Sequence, residues 1–560
     1  MVCTVITVSI SLYLPYIMRQ AIDGLMDQTL TRAGLARWLL LYAGLALICV
    51  FFSRYLRKLP MRLSHKVEYA LRNDLFDHLT GLDQAFFQKE RTGDLITRMT
   101  SDMKIVRDSV GQGLLQGIRT TCVFVFASVV MLMTDARLAL LVLGLYLPMT
   151  FFFFLVLKAI RSRQKALQEQ VSEVSSFCQE SLAGIRCIKG FALEQRRVGL
   201  FEFLNKDLIK HNLQVQAIRQ TIWPFMSLWF CLSVILILNV GGRQVVRGER
   251  SIGTLVQFMQ YLLYMQWPLL ALSWITSLMQ RGKVSWQRIK DIFEHEPAIR
   301  DTEHTDIGIG DLCGDIRFQG CCLDIDERRL LHHLNLTIRT GQTVGITGPT
   351  GSGKTLLASL VVRLLDPTEG TVRIGEHDIK AIPLDRLRQH IGFAAQEPVL
   401  FSRTLEHNIG FGAENADAEL IEWSAEVAHL KDDIDTFPDG FETQLGERGV
   451  TLSGGQRQRT AISRAIARRP DILILDDVLS AVDTQTEAAI IRKLQPVMKK
   501  RTTLLISHRI STLRYTDTVV VIEEGRITQQ GTHDELIIRS GYYSELNRIQ
   551  KIKQELEGQA

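Results

Sequence analysis

A glycine-rich segment in the second half of the chain has the residue types of a phosphate-binding loop. It reads Gly348-Pro-Thr-Gly-Ser-Gly353-Lys354-Thr355 and directly follows the apolar run Thr343 to Thr347. Glycines let backbone N–H groups close around phosphate oxygens at the start of the next helix, whose positive end adds to the attraction. Lys354 would reach the outer phosphates, and the Thr355 hydroxyl would ligate Mg²⁺. The candidate phosphate ligands are Gly348, Pro349, Thr350, Gly351, Ser352, Gly353, Lys354 and Thr355.

A second apolar run, Ile472 to Leu475, ends in two carboxylates, Asp476 and Asp477. Four apolar residues in a row predict a buried strand, so Asp476 would emerge at the edge of a sheet, where it can hold the water shell of Mg²⁺. A strand that ends in aspartate is ordinary when taken alone. Together with Lys354, this pair predicts a site for a nucleoside triphosphate and magnesium.

Short apolar runs around these motifs predict the elements that position them. The runs are bounded by glycine and charged residues and alternate with helix-like stretches, which is typical of an α/β domain with a buried, largely parallel sheet. The clearest runs are Thr343 to Thr347, Ile391 to Ala395, Ile472 to Leu475 and Thr503 to Ile506.

The first half of the chain has a different character, because residues 1 to 282 contain every long uncharged apolar stretch. A membrane helix needs about 20 residues, so the second and third stretches are short unless Arg54 and Arg119 extend towards the interface. Buried soluble helices are the alternative, but six such stretches favour a membrane domain with six spans. The stretches are Val2 to Met18, Trp38 to Ser53, Thr120 to Thr134, Leu138 to Leu157, Gln220 to Gly242 and Ser251 to Gln280.

Two long polar connections, Arg54 to Arg119 and Lys158 to Arg219, separate these spans. Structureless loops of that length are rare, so both connections are expected to be helical extensions of the spans. Basic residues at the start of the first connection mark it as cytosolic. The first span lacks a basic leader, so we interpret it as a membrane span and not as a signal peptide.

Three further elements occur in a characteristic order: Gln396 lies between the phosphate loop and Asp476, Leu452-Ser453-Gly454-Gly455-Gln456 precedes the Asp476 strand, and His508 follows the run Thr503 to Ile506. With these motifs the whole chain resembles the ABC transporter family, specifically the exporters whose six spans are fused ahead of a nucleotide-binding domain. The resemblance implies a membrane all-α domain with six transmembrane helices, followed by an α/β P-loop nucleotide-binding domain.

The resemblance also implies a role for each motif. Two nucleotide domains would sandwich two ATP molecules head to tail, so that Ser453, Gly454, Gly455 and Gln456 of one chain cap the nucleotide held by the other chain. Gln396 would contact Mg²⁺ and water, and His508 would hold the γ-phosphate. Thr355, Gln396 and Asp476 are therefore the expected metal ligands, and Asp477, His508 and Gln396 the catalytic residues. Ser480 to Asp483 resembles the loop that joins the two sites.

Two positions depart from the family pattern. Asp477 stands where the family has the glutamate that acts as general base; its carboxylate falls about 1 Å short, a misplacement that can cost on the order of a hundredfold in rate. Ile325 stands where the family has an aromatic residue that stacks on adenine. The segment Leu452 to Gln456, called the signature below, is intact, whereas the general base is replaced by Asp477. This combination resembles one subunit of a heterodimeric bacterial exporter, although a homodimer stays possible.

Composition excludes some other classes. The formal charge of +5 is small for 560 residues, and no basic patch with interleaved aromatics indicates a nucleic-acid partner. Nine cysteines without a CxxC spacing suggest no zinc site, and the adjacent Cys321 and Cys322 are interpreted as small strand residues.

The sequence therefore predicts a transmembrane domain at 1–282, a linker at 283–310, a nucleotide-binding domain at 311–548 and a tail at 549–560. The resemblance implies ATP-driven export of an amphipathic or hydrophobic drug, lipid or peptide across the bacterial cytoplasmic membrane, with the nucleotide domain in the cytosol. The alternative is a regulatory subunit that senses nucleotide without moving cargo. Within the membrane domain, Thr92 to Arg98 and Glu180 to Ile185 resemble the turns that couple the two domains, with plain helix-connecting loops as the alternative. Polar and aromatic residues of the sixth span, including Gln257, Trp267 and Trp274, indicate either a substrate cavity or interhelical packing.

Overall fold

The computed structural model describes residues 2–310, 312, 314–325, 328–413, 416–446, 449 and 452–557. It divides into two compact units. One unit comprises Met1–Thr80 with Arg91–His295, and the other comprises Gly81–Glu90 with Glu296–Ala560.

Long helices dominate the chain up to residue 293, with π-helical turns at Arg98–Asp102, Ser109–Gly113 and Ile237–Gly241. The last helix runs on past the predicted domain boundary at residue 282. In order, the helices are α1 (Val2–Met26), α2 (Arg32–Gly81), α3 (Gln84–Lys89), α4 (Thr92–Thr97), α5 (Met103–Asp108), α6 (Leu114–Thr134), α7 (Ala136–Ala183), α8 (Ile185–Gly190), α9 (Glu194–Gln220), α10 (Ile222–Leu236), α11 (Gly242–Val246) and α12 (Ile252–Phe293).

Six helical stretches among the described residues are long and apolar enough to cross a membrane. Each overlaps one of the predicted spans, so the prediction of six spans is confirmed. The long connections are also helical as expected, because α2 and α7 continue far beyond their apolar parts. The stretches are Cys3–Met26, Arg32–Gly81, Thr92–Thr134, Ala136–Ala183, Glu194–Val246 and Ile252–Phe293.

The tight turn between the third and fourth spans shows how local chemistry sets these boundaries. Asp135 adopts an extended backbone, and its carboxylate accepts a hydrogen bond from the N–H of Leu138 at 3.0 Å, which caps the start of α7. The same carboxylate accepts a hydrogen bond from the Arg250 guanidinium at 2.9 Å. The buried Asp135 carboxylate thereby caps the helix and is paired with a cation.

Two sheets form the second unit. An antiparallel sheet has the strand order β2-β1-β4-β5, and a mostly parallel sheet has the order β10-β9-β3-β8-β7-β6. The strands are β1 (Ile316–Ile325), β2 (Arg328–Ile338), β3 (Thr343–Thr347), β4 (Glu369–Ile374), β5 (His377–Asp378), β6 (Ile391–Ala394), β7 (Ile472–Asp476), β8 (Thr502–Ile506), β9 (Thr518–Glu523) and β10 (Arg526–Gly531).

The central strands of the larger sheet are buried along their whole length, because helices cover both faces. Their residues form the predicted apolar runs. The helices are α13 (Lys354–Val361), α14 (Leu384–Gln389), α15 (Leu405–Gly410), α16 (Ala418–Val427), α17 (Lys431–Ile434), α18 (Gly454–Ala467), α19 (Thr484–Met498), α20 (Ile510–Leu513), α21 (His533–Ile538) and α22 (Tyr542–Glu557). Most of the predicted tail is therefore helical, and its last residues, 558–560, lie outside the described part.

Candidate nucleotide site

Four neighbouring parallel strands each end at one of the predicted motifs. In the sheet order β3-β8-β7-β6, the phosphate loop follows β3, His508 follows β8, Asp476 ends β7 and Gln396 follows β6. Parallel strands present their carboxyl ends at one edge of a sheet, which is where ligands bind in such folds. The topology therefore gathers residues that are up to about 160 positions apart in the sequence.

At two positions of the phosphate loop, glycine is required because the backbone has a positive φ and because a Cβ atom would clash with a neighbour. Gly348 has φ +148°, and a Cβ there would lie 1.9 Å from the carbonyl oxygen of Ile522. Gly353 has φ +99° immediately before α13, and a Cβ there would lie 2.6 Å from Leu331. Only a residue without a side chain can turn the backbone N–H groups inwards at these places.

Lys354 begins α13 with its side chain folded over the loop. Its ammonium donates hydrogen bonds to the carbonyl oxygens of Gly348 at 2.9 Å and Pro349 at 2.7 Å. Burial lowers the pKa of Lys354, while Asp477 and Asp476 raise it. The ammonium is thus held over the loop and is free to exchange these carbonyl contacts for phosphate oxygens.

Asp476 is buried at the end of β7, and neither carboxylate oxygen has a well-formed hydrogen bond among the described residues. Burial raises the pKa of Asp476, the Thr355 hydroxyl and Lys354 lower it, and Asp477 raises it further. A buried carboxylate without a partner is costly unless a cation satisfies it. Asp476 and the exposed hydroxyl of Thr355 therefore fit Mg²⁺, which prefers oxygen ligands and keeps several waters.

Asp477 is in the left-handed region at φ +46°, and its N–H donates to the carbonyl of Ile506 at 3.0 Å. Aspartate tolerates this conformation better than most residues. Burial raises the pKa of Asp477, whereas Lys354 and Arg509 lower it. The side chain is half-buried beside the Lys354 ammonium, where a carboxylate could accept a proton from water.

Asp477 and His508 line one cavity of 440 Å³ together with half of the other predicted site residues. Burial lowers the pKa of His508, and the nearby Lys354 lowers it further, so the imidazole is neutral at pH 7. The lining residues are Leu330, Thr350, Gly351, Gly353, Lys354, Thr355, Leu356, Gln396, Asp476, Asp477, Ile506 and His508.

The signature residues lie outside this cavity, at the start of α18. Ser453 caps the helix: its hydroxyl accepts from the N–H of Gln456 at 3.2 Å, and the Gln456 side chain accepts from the N–H of Ser453 at 2.9 Å. Gln458 of the same helix bonds to Ser480 and Ala481, so the signature helix and the Ser480 to Asp483 loop are held together. A helix N-terminus with exposed Ser453 beside it suits an anion supplied by another chain.

One lining residue of the site was not predicted. Leu330 lines the cavity from β2 although no motif marks it, and only its 37% exposure in the folded chain shows an apolar side chain that a ligand could contact. Ile325 is partly buried against the core and does not line the cavity. Its proposed place opposite adenine stays a prediction.

The comparisons with known proteins agree with this arrangement. Residues 1–269 match the ABC transporter transmembrane region, and residues 331–480 match the ABC transporter domain. This chain belongs to the ABC transporter family. It is thus a multi-pass membrane protein with a cytosolic nucleotide-binding domain, an ATPase coupled to transport.

Several relatives of this ABC transporter cover nearly all of both chains. The multidrug resistance-like ATP-binding protein MdlA of Escherichia coli is 34% identical over 99% of this chain and 94% of its own length. The ATP-dependent lipid A-core flippase of Syntrophus aciditrophicus is 30% identical over 98% and 91%. A solved bacterial Atm1-family ABC exporter with ATP bound has the same fold, with a TM-score of 0.81 at 24% identity over 98% of each chain.

The second unit also contains a piece of the first long connection. Gly81–Glu90, which includes α3, groups with the nucleotide-binding domain, whereas Thr92 to Arg98 groups with the membrane domain. Within that domain, Asp94 and Arg98 form an ion pair at 2.7 Å, and Asp94 also pairs with Arg288. The part of this connection that joins the nucleotide domain is therefore α3, just before the predicted turn.

Proposed function

We propose that this ABC transporter exports amphipathic or hydrophobic compounds, such as drugs or lipids, as one half of a dimer. The observation that carries the proposal is that one chain has six candidate spans and also gathers Lys354, Asp476 and His508 at one sheet edge. The names of the relatives, a multidrug resistance-like protein and a lipid A-core flippase, support this substrate class.

A cavity of 640 Å³ in the membrane unit supports an amphipathic substrate. One part of its wall is apolar and aromatic, with Leu56, Met61, Trp267 and Trp274, and another part is polar or charged. Such a lining suits a molecule with an apolar body and a polar head. The polar and charged lining residues are Thr7, Ser53, Ser64, His65, Arg107, Asp108, Gln112, Gln116 and Arg119. Gln257, by contrast, is buried and donates to the Tyr261 hydroxyl at 3.0 Å, which favours packing for that residue.

We infer the following roles at the nucleotide site. The loop N–H groups and Lys354 bind and orient the phosphates of ATP, and His508 donates a hydrogen bond to the γ-phosphate. Thr355, Asp476 and Gln396 would hold Mg²⁺, which supplies charge neutralisation on the phosphates. Asp477 accepts the proton of the attacking water, weakly because its side chain is short.

The dimer is proposed to be a heterodimer. This chain would give Ser453, Gly454, Gly455 and Gln456 to the nucleotide of a partner that carries a glutamate at the Asp477 position. Its own site would bind ATP, turn over slowly and hold the dimer closed.

A regulatory subunit that moves no cargo is the second candidate, and Asp477 is the observation that favours it. Transport into inverted membrane vesicles separates the two. The chain with its partner should accumulate a fluorescent amphipathic dye or lipid when ATP is added, and Trp274→Ala should lower that accumulation while ATP hydrolysis continues. ATP-driven transport that is indifferent to Trp267 and Trp274 would contradict a cargo site in this chain. Lys354→Ala serves as the nucleotide-binding control.

A further inference from the structure

Three strands of the antiparallel sheet bring together side chains that the nucleotide site does not use. Cys322 lies in β1, His333 in β2 and Glu369 in β4. One donor atom of each, the thiol sulfur, an imidazole nitrogen and a carboxylate oxygen, lies within 4.8 Å of the other two. None of the three residues lines the nucleotide cavity.

We propose that Cys322, His333 and Glu369 bind Zn²⁺, with water as the fourth ligand. Thiolate, imidazole and carboxylate are the three protein ligand types that zinc uses, and three protein ligands with one open position form a known zinc arrangement. Magnesium and calcium prefer oxygen ligands and would not select a thiolate. Binding releases the Cys322 thiol proton to solvent.

The separation of the two strongest ligands fits a tetrahedral ion. Sγ of Cys322 and Nδ1 of His333 are 3.5 Å apart. Zinc bonds of about 2.3 Å to sulfur and about 2.0–2.1 Å to nitrogen, at a tetrahedral angle, separate these atoms by about 3.5 Å. The ion therefore needs no rearrangement of this pair, and only the exposed Glu369 side chain has to adjust.

The surroundings of the three residues also suit a bound metal. The backbone N–H of His333 donates to Sγ of Cys322 at 3.3 Å, a contact that stabilises a thiolate. His333 achieves this with φ +45°, a left-handed conformation that is uncommon outside glycine and concentrates at functional sites. Arg329 bonds to Glu369 at 2.7 Å and to Asp324 at 2.9 Å, so Glu369 would share its carboxylate between the ion and this guanidinium while Asp324 keeps Arg329 paired.

The three ligands differ in their access to solvent, and a second cysteine lies next to Cys322. Cys322 is fully buried, whereas His333 and Glu369 are exposed, so an ion can enter from solvent and reach the sulfur. Cys321, the next residue, is equally buried, but its thiol donates to the carbonyl of Thr371 at 3.1 Å. Cys321 is therefore a matched control for a buried thiol in the same strand. On sequence alone, both cysteines are interpreted as small strand residues. Under this proposal, that interpretation applies to Cys321, whereas Cys322 is a metal ligand.

Cobalt substitution in the full-length protein tests the site. After chelator treatment, Co²⁺ should give a thiolate-to-metal charge-transfer band with a stoichiometry of one ion per chain, and Zn²⁺ should abolish it. Cys322→Ser should remove the band and Cys321→Ser should keep it. His333→Asn, which tolerates the left-handed backbone, and Glu369→Gln should each weaken binding by at least about tenfold.

The magnesium site does not confuse this readout, because oxygen ligands give no thiolate band. Retention of ATP binding by each variant shows that its nucleotide domain is folded. A band that survives Cys322→Ser, or that is indifferent to both His333→Asn and Glu369→Gln, would overturn the proposal. The absence of any thiolate band in the unmodified protein would overturn it as well.

Discussion

The side chain of Gln550 holds the backbone of the His508 loop on two sides. Its amide nitrogen donates to the carbonyl oxygen of His508 at 2.6 Å, and its amide oxygen accepts from the N–H of Ile510 at 2.9 Å. Gln550 belongs to α22, whose residue Tyr543 is fully buried. A helix near the end of the chain therefore positions the histidine that faces the nucleotide cavity.

Gln550→Leu should slow ATP hydrolysis at this chain's own site, because the His508 loop loses both hydrogen bonds. A displacement near 1 Å can cost on the order of a hundredfold in rate. Nucleotide affinity should change little, since Lys354 and the loop N–H groups supply it. Single-turnover hydrolysis with the partner's site inactivated measures the rate effect, and equilibrium nucleotide binding measures the affinity.

A double-mutant comparison distinguishes positioning from general damage. Gln550→Leu should add almost nothing to His508→Ala if it acts through His508, and Lys551→Ala in the same helix should leave turnover unchanged. Additive losses from Gln550→Leu and His508→Ala would show that Gln550 acts elsewhere.

Asp476→Asn should stabilise the nucleotide-free protein at neutral pH. Because the pKa of Asp476 is raised, the folded chain binds its proton more tightly than the unfolded chain, so stability falls as pH rises through the interval between the two pKa values. Above that interval the folded chain bears the full free-energy cost of burying the ionised Asp476 carboxylate. The neutral amide of the asparagine variant removes this cost. A gain of about 1 kcal/mol would raise the unfolding temperature of the nucleotide-binding domain by roughly 2–4 °C.

Thermal unfolding at several pH values, with and without Mg-ATP, tests the stability of the nucleotide-free variant and its loss of magnesium binding. The advantage of Asp476→Asn should shrink as the pH is lowered, and the extra protection given by magnesium should be lost. An asparagine variant that is less stable at neutral pH without nucleotide would contradict an unpaired Asp476.

Asp477→Glu should speed hydrolysis at this chain's own site, because the longer side chain carries the carboxylate about 1 Å further towards the water. The gain should be up to about a hundredfold if distance alone limits the base. Single-turnover hydrolysis with the partner's site inactivated isolates the effect. No gain would mean that the left-handed backbone at Asp477, or another part of the site, limits the rate.

The sequence predicted the parts of the fold that depend on local pattern. Six apolar stretches indicated six spans, and the apolar runs before Gly348, Asp476 and His508 became neighbouring strands. The order of residues along the chain was enough to predict these elements, because each motif directly follows its strand.

Features that depend on long-range packing could not be predicted in this way. Leu330 reaches the cavity because β2 approaches the phosphate loop, and Gln550 meets His508 only because α22 packs beside it. The meeting of Cys322 with His333 and Glu369 requires the register of three strands, and no spacing in the sequence encodes it.

Phosphate release by the mixed complex tests the central claim, that this chain completes its partner's site and contributes little through its own base. Ser453→Ala should abolish most ATPase activity, whereas Asp477→Asn should leave most of it, because well-placed general bases supply a hundredfold or more and Asp477 is displaced. Thr404→Ala removes the cap of α15 and controls for the loss of a helix cap in Ser453→Ala. A comparable collapse from Ser453→Ala and Asp477→Asn would contradict the account and leave Asp477 as a working base in a symmetric transporter.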